Sequence, residues 1–261
     1  MKKKIYFGTN LKMYKNIQDT VSYLEDLTKF TADLNREEIE LFVIPSYTSL
    51  PDSVKIKGRN LVHLGAQNMG WEEQGQFTGE ISPLMLKELG IDIVMIGHSE
   101  RRHVFRETDY EENKKVICSL EHGFTTLLCI GETEDEKEYG ISNEVLRTQL
   151  IAGFHNVKAD KAEKIWVAYE PVWAIGVNGK PASVEYAAEK HTVIRECLVE
   201  IFGEESGNLI PVLYGGSVNP GNAEGLIERP EIDGLFTGRS AWQAEAFDKL
   251  IRSALRRLGK L

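Results

Sequence analysis

The chain has 261 residues, 42% of them hydrophobic, enough for one large domain or two small ones with a substantial core. A formal net charge of -9 argues against the basic face that nucleic acid requires, though a few local donors suffice to hold an anionic small molecule. Cys118, Cys129 and Cys197 show neither C-x-x-C spacing nor a histidine cluster, so no disulfide framework and no metal centre is expected.

Met1 to Lys4 opens with positive charge, but only Ile5 to Phe7 follow as an apolar run. Secretory segments need roughly 7–15 apolar residues and membrane helices about 20, which predicts a cytoplasmic chain with no membrane association. The first β-rich run, Ile5–Thr9, ends in Asn10-Leu11-Lys12-Met13. Ile17, Val21, Leu24, Leu27 and Leu34 make an apolar stripe at helical spacing, and Glu40–Ile44 is the second run. The third, Leu61–Ala66, leads through Gly70 into Trp71 to Ile81, which carries Gly75 and Gly79 and has little helical pattern. It reads as a long loop, and loops of that length in compact domains are usually functional.

The fourth run, Asp92–Ile96, ends in Gly97-His98-Ser99-Glu100-Arg101-Arg102, and the fifth is Thr125–Ile130. The sixth, Ile165–Tyr169, delivers Glu170 into a glycine-containing loop. Ser183 caps the following helix, whose apolar residues are Ala187, Val193, Ile194, Cys197, Leu198 and Ile201, and Gly203 ends it. The seventh run, Pro211–Tyr214, meets Gly215-Gly216-Ser217, and the eighth, Gly234–Thr237, meets Gly238-Arg239. Phe247, Leu250, Ile251, Ala254 and Leu258 mark a last helix. Eight strands alternating with helices, without a long linker, predict an α/β parallel sheet closed into a (β/α)8 barrel, one domain over 1–261. An open doubly wound sheet is the alternative, because periodicity does not distinguish open from closed.

Polar residues gather at strand C-termini, where barrel enzymes place their sites. A carboxylate such as Glu170, at the end of a buried strand and beneath a loop that excludes water, suits proton abstraction beside a carbonyl; a salt-bridge partner is the other reading. Lys12 supplies a compact positive charge for a phosphate or a developing oxyanion, or is an ordinary exposed lysine. His98 follows a glycine at a strand-to-helix turn, where a helix N-terminus favours an uncharged imidazole able to donate to a carbonyl; a structural histidine is the alternative. Ser99, Glu100, Arg101 and Arg102 read as scaffold, with a Glu100–Lys12 contact as a lesser reading. Gly176, Gly215, Gly216, Ser217, Gly238 and Arg239 read as a phosphate cradle, since glycines let backbone N–H groups approach an anion.

These residues closely resemble the triosephosphate isomerase family. The matching pieces are Asn10/Lys12-Met13, Gly65-Ala66-Gln67-Asn68, Phe77-Thr78-Gly79-Glu80, Gly97 to Arg102, Cys129-Ile130-Gly131-Glu132-Thr133, Ala168 to Gly176, Tyr214 to Val218 and Asp233-Gly234. The resemblance spans nearly the whole chain. It implies a barrel without a cofactor that interconverts an aldose and a ketose phosphate through an enediolate. By that resemblance Glu170 is the base, His98 polarises the carbonyl and relays the hydroxyl proton, and Lys12 and Asn10 stabilise the anion. Ile175 and Phe236 would wall Glu170, and Trp173 would anchor the lid hinge. The family is usually a homodimer, and Thr78 on the 71–81 loop would reach toward the partner subunit's Lys12. Cys129 and Cys197 are expected to pack the core.

Departures from the family pattern bear on the substrate. Leu11 replaces the usual Trp, Tyr14 replaces an Asn, the lid Ala174 to Ser183 is one residue longer, and Arg239 stands where the family has a second Gly. This set, with Gln67 to Trp71 and Ser217 to Asn222, looks like a branch that exchanges L-erythrulose 1-phosphate and D-erythrulose 4-phosphate. D-glyceraldehyde 3-phosphate and dihydroxyacetone phosphate remain the family default, and the sequence leaves both small phosphorylated sugars open. A barrel that binds a sugar phosphate without turning it over is the reading from a different class.

Overall fold

A computed structural model describes residues 4–176 and 179–261. The initial Met1 to Lys3 and the lid residues Val177 and Asn178, both part of the sequence readings above, lie outside the described residues. Eight strands form a closed parallel barrel in sequence order: β1 Ile5–Asn10, β2 Ile39–Ile44, β3 His63–Ala66, β4 Ile93–Ile96, β5 Thr125–Ile130, β6 Ile165–Tyr169, β7 Val212–Tyr214 and β8 Gly234–Thr237. Closure is made by β1 pairing with β8, with Gly8 opposite Phe236 and Thr9 opposite Thr237. The open doubly wound alternative is therefore excluded.

Alternation along each strand divides the apolar residues into two layers. One set fills the barrel: Phe42, Ile44, Ile93, Met95, Leu127, Cys129, Trp166, Ala168, Leu213 and Phe236, with Tyr6 packed against it. The other faces the surrounding helices and forms the larger core. The ring of Phe42 stacks on Phe236 at 5.6 Å between centroids and meets Trp166 at 5.3 Å. It also lies over Gly8, where an added Cβ would come within 2.0 Å of the ring, so β1 requires glycine there.

Several boundaries differ from the sequence reading for local reasons. β3 starts at His63, not Leu61, because Arg59–Leu61 forms a 3-10 turn. Asp92 stays outside β4, its Oδ2 accepting the Leu64 amide at 2.9 Å. The first helix ends at Phe30, its last carbonyls taken by Thr31, and Leu34 is buried in the turn beyond. All three cysteines are buried with free thiols. Among the described residues no helix is long and apolar enough to cross a membrane.

Candidate active site

The C-terminal ends of the strands surround a cavity of about 900 Å³. Asn10, Lys12, His98, Glu170, Gly176, Gly215, Gly216, Ser217, Gly238 and Arg239 all line it, so the structure brings the candidate catalytic and phosphate-binding residues to one place, whereas Thr78 and Trp173 are not in its lining. Ile175 and Phe236 line the same cavity as Glu170.

β1 ends in Asn10, and the chain turns sharply at Lys12, whose φ of +52° is left-handed and unusual for a residue with a Cβ. Such backbone costs about 1–3 kcal/mol and persists only where the surroundings fix it. Here Asn10 Oδ1 accepts the Lys12 amide at 2.8 Å, and Gln67 Nε2 donates to the Lys12 carbonyl at 2.8 Å and to Asn10 Oδ1 at 3.1 Å. The Trp242 indole holds the Asn10 carbonyl at 2.9 Å, and Tyr14 lies against Trp242 with centroids 4.3 Å apart. The Lys12 side chain is only 18% exposed, and its Nζ pairs with Glu100 at 2.7 Å. This replaces the exposed-lysine reading and gives Glu100 more than a scaffold part. Burial would raise the Glu100 carboxyl, but the bonded Lys12 ammonium holds it below the usual carboxylate range.

β4 ends at Ile96, and Gly97, with φ +73°, swings His98 into the cavity as the N-cap of the short helix Ser99–His103. His98 Nδ1 accepts the Glu100 amide at 3.1 Å. A ring nitrogen that accepts a backbone N–H carries no proton itself, which leaves Nε2 as the donor of the neutral ring. That Nε2 lies 3.5 Å from Glu170 Oε1, so the imidazole addresses the cavity and is not merely satisfied by backbone.

Glu170 follows β6 and is nearly enclosed. Its amide donates to the Ile130 carbonyl at 2.7 Å, and its own carbonyl crosses Gly131 so closely that a Cβ there would sit 1.9 Å away. Glycine at 131 is thus a condition for placing Glu170. The carboxylate reaches the Ser99 amide at 3.4 Å, the outer limit of hydrogen bonding, so neither this contact nor His98 locks it. The Cys129 thiol lies against it, and burial followed by the Glu170 charge pushes that thiol well up, which makes it an inert neighbour.

The turns expected to cradle an anion offer backbone to the cavity. The 3-10 turn Arg239–Ala241 opens straight after Gly238, and the first N–H groups of such a turn have no partner inside it. Gly215 is pinned by its amide to the Tyr169 carbonyl at 2.7 Å, beside the Glu170 side chain. Arg239 is exposed at the cavity rim.

Trp173, expected to anchor the lid hinge, is held by Glu132 from the turn after β5. Glu132 is fully buried and accepts the Trp173 indole at 2.9 Å and the hydroxyls of Tyr169 and Tyr186 at 3.0 and 2.9 Å. Lys137 Nζ lies 3.6 Å over the Trp173 ring. The signal available was a lone acidic residue in a glycine turn after β5, which names no partner. Gln67 and Tyr14 stood in quoted motifs, but their contacts with the Lys12 turn and with Trp242 join segments far apart in sequence.

A family model described as triosephosphate isomerase matches residues 5–254. The chain is similar to a Rhizobium etli protein named L-erythrulose-1-phosphate isomerase, 47% identical over 93% of this chain and 90% of the relative. A Brucella abortus protein of the same name is 44% identical over 96% of this chain and 97% of its own length. A triosephosphate isomerase of Caldanaerobacter subterraneus subsp. tengcongensis is 41% identical over 96% and 99%.

Proposed function

The chain belongs to the triosephosphate isomerase family and is an isomerase, and from that premise we propose that it interconverts L-erythrulose 1-phosphate and D-erythrulose 4-phosphate. The sequence alone sets triose phosphate first. Similarity to relatives named for erythrulose phosphate moves the reading to the four-carbon sugar. The observation that carries the chemistry is the approach of Glu170 Oε1, from the end of β6, to His98 Nε2, from the end of β4, at 3.5 Å, beside Asn10 and Lys12 from the end of β1.

In this reading the cradle of Gly176, Gly215, Gly216, Ser217, Gly238 and Arg239 holds the phosphate, so the sugar lies between Glu170 and His98. Glu170 takes the proton from C3 of L-erythrulose 1-phosphate, and the C–H electrons form the C2–C3 double bond of an enediolate with charge on O2. The Lys12 ammonium and the Asn10 amide stabilise that charge, and His98 moves the hydroxyl proton from O3 to O2. Glu170 returns its proton to C2, leaving the carbonyl at C3, which is D-erythrulose 4-phosphate. The reaction balances without an oxidant or a cofactor. Triose phosphate differs by one hydroxymethyl group, and pocket discrimination of that size is ~1–3 kcal/mol, so residual turnover of it is expected.

The reading takes 1–261 as one domain working as a homodimer. Its 71–81 loop is closed at the base by Gly70 to Ile81 at 2.8 Å and Ser82 to Glu73 at 2.6 Å, which holds Phe77 and Thr78 outward. Apolar side chains stand exposed beside the cavity, Met13 at 94% and Phe105 at 62%. A second copy covering them fits such a patch.

The deciding experiment assays purified protein in parallel on L-erythrulose 1-phosphate and D-glyceraldehyde 3-phosphate in deuterium oxide. Higher kcat/KM for the tetrulose, with deuterium entering the carbon beside the carbonyl, is expected. Preference for the triose would return the reading to the family default. No label in either compound would leave only the non-catalytic binder.

A further inference from the structure

Behind the Gly97–His98 turn lies a buried cluster that the chemistry above does not use. Arg102, with its side chain 8% exposed, donates from Nε to the Gly97 carbonyl at 2.9 Å and from Nη2 to the Cys129 carbonyl at 3.1 Å. Two carboxylates grip the guanidinium: Asp109 at Nη1 and Glu112 at Nη2. Glu112 projects from the helix Asp109–Glu121 and is fully enclosed. The pair is packed so closely on Gly97 that a Cβ there would come within 2.9 Å of both Arg102 Nη2 and Glu112 Oε2. The two residues after Gly97 are the ones that meet the Glu170 carboxylate, His98 by its ring and Ser99 by its amide. Cys129, whose carbonyl is held by the same guanidinium, also lies against that carboxylate.

We propose that Glu112 and Arg102 are positioning residues for the isomerisation: Glu112 holds the guanidinium against the Gly97 and Cys129 carbonyls and thereby fixes His98 relative to Glu170. The proposal rests on the reading that His98 and Glu170 carry the reaction. An enclosed guanidinium that loses a charged partner is left under-compensated and shifts to recover one, and the turn it grips moves with it. A displacement of about 1 Å at reacting groups can cost ~10²-fold in rate, so a slackened turn is visible in kcat.

The grip is also sensitive to pH. Burial pushes the Glu112 carboxyl up to about 8, with Arg102 pulling it down and Asp109 and Glu107 pushing it further up. Lys115, on the same helix, is the other charge facing it and also pulls down. Below that pH Glu112 is neutral and Arg102 keeps Asp109 and the two carbonyls; above it the full ion pair forms and the turn tightens.

The test compares wild type, Glu112→Gln and Glu112→Asp in kcat and KM on either side of that pH, with histidine-ring nitrogen NMR on the same proteins. Wild-type kcat should climb through it, Glu112→Gln should flatten the climb and lose roughly tenfold at alkaline pH, and KM should hold within a factor of about two. Glu112→Asp should restore part of the climb. The His98 ring signals should move in Glu112→Gln while those of His191, on another helix, stay. Identical kcat profiles and His98 signals in wild type and Glu112→Gln overturn the proposal. Should His98 signals move while no protein turns over either sugar phosphate, the positioning stands and the isomerase reading of His98 and Glu170 falls.

Discussion

Glu170 Oε1 and His98 Nε2 face each other at 3.5 Å, on side chains that are 3% and 5% exposed. A base so placed has little tolerance in reach. Glu170→Asp retracts the carboxylate by one methylene and is expected to lower kcat by ~10²-fold. Glu170→Gln should lose turnover while keeping affinity for inorganic phosphate, measured by calorimetry. Undiminished kcat in the Asp variant would remove Glu170 from the mechanism.

Arg239 follows Gly238 in the proposed phosphate cradle and is exposed at the cavity rim. Arg239→Gly removes the guanidinium and keeps the backbone N–H. The ratio of kcat/KM for L-erythrulose 1-phosphate over D-glyceraldehyde 3-phosphate should fall, by up to roughly tenfold for an interaction worth about 1.4 kcal/mol. An unmoved ratio assigns specificity elsewhere.

The Trp173 indole is bonded to the enclosed Glu132 carboxylate, tying the lid hinge to the end of β5. Trp173→Phe removes that donor but keeps an aromatic ring. Hydrogen bonds to charged groups contribute about 1.5–3 kcal/mol, so melting temperature should drop and kcat should change through lid motion. Thermal melts and steady-state kinetics check both, and wild-type values in each would refute the hinge role.

The exposed Met13 and Phe105 predict that a second copy covers the cavity rim. Replacing Phe105 with Asp should shift the protein from dimer to monomer in analytical ultracentrifugation. A wild-type protein that sediments as a monomer at all concentrations would contradict the assembly outright.

At the other end of the barrel, Glu40 bonds His63 and accepts Lys4 Nζ at 2.7 Å. The bond to Glu40 raises His63 against the effect of burial, whereas burial would raise Glu40 but His63 and Lys4 pull it below its ordinary value. A raised histidine stabilises the fold fully below its unfolded value of about 6.5 and loses that contribution as pH climbs through the folded value. The lowered Glu40 contributes above its unfolded value of about 4.5 and loses that as pH falls through the folded value. The melting-temperature gap between wild type and His63→Asn should therefore be widest between those two values and narrow on either side. A gap that is flat across the range would show that the pair is not linked to folding.

What the sequence determined by itself was the alternation of eight β-rich runs with helices, and the residue types at each strand end. Both are local: strand and helix periods are written in neighbouring residues, and glycine, a lone lysine or a lone carboxylate beside a turn is visible in one short window. That sufficed to place Glu170, His98, Lys12 and the cradle glycines in one candidate site. Barrel closure was not local, because it depends on β1 meeting β8 across the whole chain. Nor were the partners that orient the site. Lys12 pairs with Glu100, 88 residues away, and Trp242 holds Asn10 from 232 residues away. Glu132 stands in a quoted motif without a role and Glu112 carries no sequence signal, and only packing shows that each is enclosed, one bonded to Trp173 and one behind His98. Burial and through-space charge are properties of the assembled barrel, so the tertiary structure alone decided which carboxylate faces solvent, which is bonded to Trp173 and which lies enclosed beside the guanidinium of Arg102.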